Sequence, residues 1–402
     1  MTDDATAGLL AFSESESESK LPEKAIPNTN CNGLRVAMIG LRGFSDGLGG
    51  VETAVRETSV RLAAMGMDIT CFCRSRYNSN SEFSGVRLVN IPAPPLVHSE
   101  TAVYALQAAA KATFGNFDII HFHALTSSLM AWIPLLFSDK KIVATIHGLD
   151  WKRDKWGPIS RAILLRGEWC AMRLPHGTVS VSSSTKNDLA KRYGLRHIEH
   201  IPNGQSPCQD PPPPPDELKD QRYILSMGRL VPEKGIHRLI KAYRGIDTDA
   251  RLVIAGGDGH SRKYGRKLKK LASGDGRIIF TGTITGKTKE RFLANASLFV
   301  LPSTLEGHPI SLIEACTWGI CPVVSCIPEA VEVLGEHCNG NHIFDPLSIS
   351  SIAGSIEHFL SNPDEAKTLG EQISGHVMAT YDWDRTAAMT RDLYLRLMGY
   401  RP

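Results

Sequence analysis

The chain has 402 residues, of which 42% are hydrophobic and 22% charged, the proportions of a soluble globular protein. That length exceeds one compact α/β core, so two domains are expected. A formal net charge of +3 gives no electrostatic case for nucleic acid, and no such partner is expected.

Residues 1–33 carry a Ser/Glu alternation at 13–19 and prolines at 22 and 27. Such a segment buries no apolar face, so it is expected to be a disordered tail without chemistry. It also lacks the basic flank and apolar core of a secretory signal.

From Arg35 short apolar runs alternate with amphipathic segments. RVAMIG (35–40) reads as a strand and 51–65 as a helix; DITCFC (68–73), VRLVNI (86–91), DIIHFH (118–123), KIVATIH (141–147) and TVSVS (178–182) read as further strands. Helical patterns between them imply βαβ units on a parallel sheet, giving a first domain over 34–204. The longest apolar stretch, 125–137, is broken by Pro134 and is too short to span a bilayer. Any membrane contact is therefore expected to be peripheral.

At 205–220 the rhythm breaks, with five consecutive prolines at 211–215. A polyproline run stays extended and cannot enter a helix or central strand, so this segment reads as the connection between domains. A second series follows over 221–381: RYILSMG (222–228), RLVIAGG (251–257), RIIFTG (277–282), SLFVLP (297–302), CPVVSC (321–326) and HIF (342–344). A last amphipathic helix, 383–398, lies within a closing segment at 382–402. The nine cysteines are odd in number and form no C-x-x-C pair, so they read as free thiols in a reducing cytosol. The whole is an α/β chain of two Rossmann-like parallel-sheet domains facing a cleft, where ligands of such sheets bind.

Three strand exits of the second series carry unusual groups. In GRLVPEKG (228–235), Arg229 and Lys234 sit five residues apart on a turn. A guanidinium fork and a compact ammonium can converge on one diphosphate. Taken alone, they are equally compatible with two solvated charges. AGGDGHS (255–261) is a glycine-rich exit and a weak signal. In LPSTLEGHPISLIEAC (301–316), Glu306 and Gly307 form the turn and Pro309 suits the first turn of a helix. Free N–H groups near residues 308–311 can bind an anion, and Glu314 lies inside the helix. A capping carboxylate and an ordinary helical Glu would read the same way.

Taken together, GRLVPEKG and EGHPISLIEA (306–315) resemble the donor site of glycosyltransferase family 4, which has the GT-B fold and reads G-R-x4-K-G followed by E-x7-E. IPNG (201–204), FTG (280–282), DIIHFHA (118–124) and ATIHG (144–148) resemble the same family in order and distance. The resemblance covers roughly residues 35–398 and implies that the C-terminal helix returns to the first domain. It implies that Arg229 and Lys234 hold a donor diphosphate with N–H groups of Pro309, Ile310 and Ser311, although Pro309 has no N–H to give. Glu314 would take the ribose hydroxyls, and Glu306 those of the transferred sugar with Gly307 and His308 nearby. The base would lie against Gly282 and Ile284. The family's usual Phe-Gly is here His308-Pro309.

In the first domain, GLRGFSDGLGGVETAV (40–55) lacks the dinucleotide G-x-G-x-x-G spacing. It resembles the R-G-x5-G-G-x-E loop of polysaccharide-assembling members, which would set Gly49 and Gly50 over the phosphates and Glu52 at the helix start. His147 would line the cleft near the reacting carbon as a catalytic residue with Glu306, Arg229 and Lys234. His121 and His123 share one strand face without a visible third ligand, so no metal is expected. Asp247–Thr248–Asp249 reads as a loop and Asp382–Trp383–Asp384 as a helix cap, not as metal-binding D-x-D pairs.

The implied activity is metal-independent, retaining transfer of a sugar from a nucleotide-diphosphate sugar, without a cofactor, to a saccharide or lipid-linked saccharide. The resemblance points to exopolysaccharide or cell-surface glycan assembly in the cytoplasm, at the inner face of the plasma membrane. Asp150, Trp151, Lys152 and Arg153, within the Trp- and cation-rich 147–169, are expected on the acceptor side, facing sugars or an anionic membrane. Two rival readings stand: a two-domain nucleotide-sugar epimerase, and a non-catalytic nucleotide-sugar-binding protein.

Overall fold

A computed structural model describes residues 33–93, 99–195, 197–208, 210–258 and 262–400. The acidic tail therefore lies outside the described residues, as does the end of the glycine-rich exit at 259–261. The first domain runs β1 (Arg35–Ile39), α1 (Gly50–Ala64), β2 (Asp68–Arg74), β3 (Glu82–Phe83), β4 (Val86–Ile91), α2 (Ser99–Phe114) and β5 (Ile119–His123). It continues through α3 (Leu125–Ser128), α4 (Trp132–Phe137), β6 (Lys141–Ile146), α5 (Pro158–Arg173), β7 (Gly177–Ser180), α6 (Ser183–Tyr193) and β8 (Ile198–His200). Its sheet has the order β3-β4-β2-β1-β5-β6-β7-β8, and every described pairing is parallel except β3 with β4. β3 and β8, two and three residues long, are too short to show the apolar run that announces most of the others.

The second domain runs β9 (Tyr223–Met227), α7 (Ile236–Tyr243), β10 (Arg251–Ala255), α8 (Arg262–Ala272), β11 (Ile278–Gly282), α9 (Gly286–Ala294) and β12 (Leu298–Leu301). There follow α10 (Ile310–Thr317), β13 (Cys321–Ser325), α11 (Pro328–Leu334), β14 (Ile343–Phe344), α12 (Ile349–Ser361), α13 (Pro363–Thr380) and α14 (Trp383–Leu397). Its six strands are all parallel, in the order β11-β10-β9-β12-β13-β14. In both domains the central strands are buried on both faces, which their near-continuous Val/Ile/Leu runs require.

α14 leaves the second domain and packs on α1 of the first. Leu393, Tyr394 and Leu395 enter the first domain's core, and Arg61 pairs with Asp384 at 2.6 Å. The polyproline run lies against α9. Proline offers carbonyls but no N–H, and α9 supplies the donors: Asn295 to Pro212 at 3.0 Å, Arg291 to Pro213 at 3.1 Å and to Pro214 at 2.6 Å. Leu218 then anchors the segment in the second core.

Candidate functional site

The strand exits of the two sheets meet at one cleft. After β9 come Arg229 and then a 3-10 turn, Pro232–Lys234. Gly235 follows at φ +68, and a Cβ there would lie 1.9 Å from the Pro302 carbonyl oxygen, so only glycine lets the chain turn into α7. This turn aims Lys234 across to the β12 exit, where its Nζ lies 2.5 Å from Glu306 Oε1. Gly307 meets the first domain: a Cβ on it would lie 1.7 Å from the carbonyl oxygen of His147. His147, Arg153, Arg229, Lys234, Glu306 and Gly307 line one cavity.

The cavity is rich in cations. Arg229 is half-buried, and its guanidinium is pushed below its ordinary value by desolvation and then by Arg153 and Arg42. Lys155 is lowered in the same sense by burial, Arg153 and Arg229. Arginine stays charged through such shifts, so Arg229, which pairs with no carboxylate among the described residues, offers a charge to an anion. Asp150 and Glu233 hold Arg153 at 2.8 and 3.5 Å without filling the cavity. Across the cleft, α1 starts at Gly50, 3.7 Å from the Ile310 side chain as measured from an added Cβ. The N-termini of α1 and α10 thus face each other, and both favour negative charge. Pro309 is the N-cap of α10 and the helix begins at Ile310, one residue later than expected, with Ser311 in its first turn.

Glu314 is buried in α10, and its Oε1 accepts from Lys289 of α9 at 2.8 Å. Burial disfavours the Lys289 charge, but the Glu314 carboxylate outweighs it and raises the ammonium's pKa. Lys289 was invisible to sequence reasoning, because only the packing of α9 beside α10 brings it there. Arg42, the arginine that opens the R-G-x5-G-G-x-E loop, was given no role by the sequence. It binds Glu52 at 2.8 Å and the Leu48 carbonyl, bracing the loop that ends at Gly49. Burial raises the Glu52 carboxyl, but Arg42 outweighs it and the net shift is downward. Gly282 ends β11, while the Ile284 side chain is buried in the second core, leaving only backbone to face a base.

His147 follows β6, its Nε2 lying 3.1 Å from His123 Nδ1. Burial pushes His147 down to about 4, against the opposing pull of Glu52 and Asp150. Behind it His121 stacks on His123 at 4.1 Å. His121 is itself held by Tyr394 at 2.6 Å and Thr145 at 2.7 Å, so neither of its ring nitrogens is left to ligate a metal.

Two expected roles are not matched by position. His308 does not line the cavity: its ring is buried, edge-on to Tyr381 at 5.1 Å, and faces the domain interface. Burial lowers it to about 4. Trp151 packs against the first domain's core and does not line the cavity. Glu168 is fully buried and needs donors, and Trp151 supplies one at 2.6 Å beside Arg192 at 2.6 Å and Tyr193 at 2.9 Å. Lys152 leans to Asp188 at 3.4 Å, so of the acceptor-side set only Arg153 lines the cavity. Asp382 caps α14 through the amide of Asp384, and Asp249 pairs with Arg222.

Glu332 of α11 crosses the interface, accepting from the Ser183 amide and hydroxyl at 2.7 Å and lying 3.2 Å from His200. Burial opposes its charge, but His200 and the Ser183 amide prevail and bring it down to about 2.

Comparison with known proteins agrees with this geometry. The family model described as Glycosyltransferase Family 4 matches residues 48–207, and that described as Glycosyl transferases group 1 matches 212–375. A D-inositol 3-phosphate glycosyltransferase of Xylanimonas cellulosilytica is 23% identical over 92% of this chain and 98% of its own. The putative teichuronic acid biosynthesis glycosyltransferase TuaC of Bacillus subtilis is 32% identical over 70% of this chain and 61% of its own. The crystal structure of Anabaena Alr3699/HepE in complex with UDP-glucose superposes with a TM-score of 0.74 at 16% identity, covering 90% of this chain and 99% of that one. With both halves matched and both sheets in place, the chain belongs to glycosyltransferase family 4 and is a glycosyltransferase of the GT-B fold.

Proposed function

We propose that this glycosyltransferase moves a sugar from a nucleotide-diphosphate sugar to a saccharide or lipid-linked saccharide, with retention of anomeric configuration, in cell-surface glycan assembly. The observation that carries the reading is the Lys234–Glu306 pair beside Arg229, facing His147 across the cleft. Without donor, the buried ammonium and carboxylate neutralise each other. A bound donor would divide them: its diphosphate takes Lys234 and Arg229, and the hydroxyls of its sugar take Glu306.

Breaking the anomeric bond puts negative charge on the departing diphosphate. Arg229, Lys234 and the N-terminus of α10 are fixed where that charge develops, and they supply the positive charge a metal would otherwise bring. Positive charge grows on the sugar carbon beside His147, whose imidazole is neutral at pH 7. Among the described residues, no carboxylate of the first domain lines the cavity to serve as an inverting base, and the nearby Glu52 and Asp150 are tied to Arg42 and Arg153. Same-face attack, with the departing phosphate accepting the acceptor's proton, meets that constraint. The close backbone approach of His147 and Gly307 would exclude water and favour transfer over hydrolysis. UDP-glucose, bound by the Anabaena protein, is a first donor to try.

Lys234→Ala is expected to weaken nucleoside diphosphate binding about ten- to a hundredfold, the loss of a charge-assisted contact. Calorimetric titration of the diphosphate into wild type and variant measures this. Equal affinities would remove Lys234 from the donor site, and nuclear magnetic resonance of the product's anomeric proton decides retention.

A further inference from the structure

Outside the cleft, the second domain carries another pocket, of about 440 Å³, a size usual for small-molecule sites. The loop before β14, the end of α12 and the first turns of α13 enclose it. His342 and Phe359, both almost fully buried, form its floor. Asn339, Asn341, Asp364, Glu365, Thr368 and Gln372 stand exposed around its mouth.

His342 is the unexplained member. It is 1% exposed, and its backbone is fixed by the Val324 amide, which donates to its carbonyl at 2.7 Å. The ring bonds the backbone of His337, yet Nε2 is buried without a partner among the described residues. Burial lowers the imidazole below its ordinary value, so at pH 7 the ring is neutral and Nε2 presents a lone pair beneath the pocket. A buried acceptor without a donor is costly, and a ligand hydroxyl would supply one. The two acids have a simpler role: they open α13, where carboxylates balance the helix dipole, and Glu365 meets His358 at 2.9 Å. That role does not account for the imidazole beneath them or for the amides beside them.

We propose that this pocket is a second ligand site and that it holds an uncharged saccharide. Its chemistry selects that class. Two carboxylates and no lysine or arginine line it, which disfavours phosphates, uronates and nucleotides. Among the described residues, no three His, Cys, Asp or Glu side chains are grouped to hold a metal. What fits is a ligand rich in neutral donors. Carboxylates and amides pair with neighbouring hydroxyls, and the apolar wall of Phe359 and Leu369 suits the C–H face of a sugar ring. The site is separate from the cleft. The two cavities share no lining residue, and β14 is the edge strand, with β13 between it and β12, whose exit carries Glu306. A saccharide held there leaves the donor site free, so the proposal does not depend on the reading of the cleft.

The test is saturation-transfer difference nuclear magnetic resonance on the full chain. The probes are the methyl α-glycosides of glucose, galactose, mannose and N-acetylglucosamine, and calorimetry follows for those that bind. At least one is expected to bind wild type. Thr368→Trp, on the exposed side of α13, would fill the mouth and should weaken that binding about tenfold or more. Asp364→Asn should weaken it about three- to tenfold. Both variants should melt as wild type does and keep its nucleoside diphosphate affinity. Should Thr368→Trp melt early, Asp364→Asn takes its place in the comparison. No glycoside bound by wild type overturns the proposal, as does binding that Thr368→Trp leaves unchanged, which would put the sugar elsewhere. Calcium, titrated alone and bound through Asp364, would make the pocket a cation site and overturn it too. Failure of wild type to bind nucleoside diphosphate would instead count against the donor reading and leave saccharide binding to be judged by itself.

Discussion

Glu306 and Glu314 lie eight residues apart, and each is met by a lysine from a different element. Lys234 reaches Glu306 from the β9 exit, and Lys289 reaches Glu314 from α9. At Glu314 the pairing fixes one carboxylate oxygen, and on the proposed reading the other takes a ribose hydroxyl. Lys289→Met would strip the cation from a carboxylate that is 8% exposed while keeping the stem of the side chain. We expect a loss of about 1–3 kcal/mol of stability, the lysine being partly solvated, and nucleotide affinity lowered about three- to tenfold. Denaturant unfolding and calorimetry check both, and unchanged values in each would make the pair a surface accident. The same pairing shows why sequence reading stops where it does. Arg229, Lys234, Glu306 and Glu314 announce themselves by short spacings at strand ends. Lys289 is separated from Glu314 by 25 positions and carries no local signal. Trp151 has a structural role that the sequence did not announce, since an indole N–H can satisfy a buried carboxylate as readily as its ring can stack on a sugar.

At the scale of elements, β5 and the exit of β6 lay three imidazoles in a row, His121 on His123 and His123 on His147. Burial drives all three down, His121 to about 3 and His147 to about 4, and His308 in the next domain to about 4. The sign follows from linkage. As pH falls, the unfolded chain takes up these protons near 6.5, whereas in the folded chain His147 and His308 take them up only near 4, His121 near 3 and His123 well below its ordinary value. Stability is therefore full above about pH 6.5 and is lost as pH falls toward 4. Each fully buried imidazole contributes at most about 1.4 kcal/mol per pH unit within that window. The Glu332 carboxyl, held at about 2, adds its own loss only below the ordinary carboxylate range. Urea unfolding between pH 7 and 4.5 should show this decline, and a flat profile would mean that the imidazoles are hydrated. The strands carrying this row were legible from their apolar runs. The burial of every ring was not, because Tyr394 closes over His121 from the far end of the chain.

Across the whole molecule, the polyproline connection and the returning α14 join the two domains, and the cleft between them is closed. Backbone meets backbone at Gly307 and His147, the Gly47 loop lies on Thr283 and Thr285, and Glu332 caps α6 of the opposite domain. The two-sheet plan could be read from alternating strands and helices. The closure could not, since it depends on contacts such as Ser183–Glu332, 149 positions apart. On the proposed reading, closure lets Arg229, Lys234 and Glu306 hold one nucleotide-sugar donor, and that shared ligand is the central claim. Glu306→Gln tests it most directly, with transfer assayed on the donor that a thermal-shift screen selects and free nucleotide titrated in parallel. The account predicts nucleoside diphosphate affinity within about threefold of wild type and transfer reduced about a hundredfold or more. Transfer at the wild-type rate in that variant would contradict it.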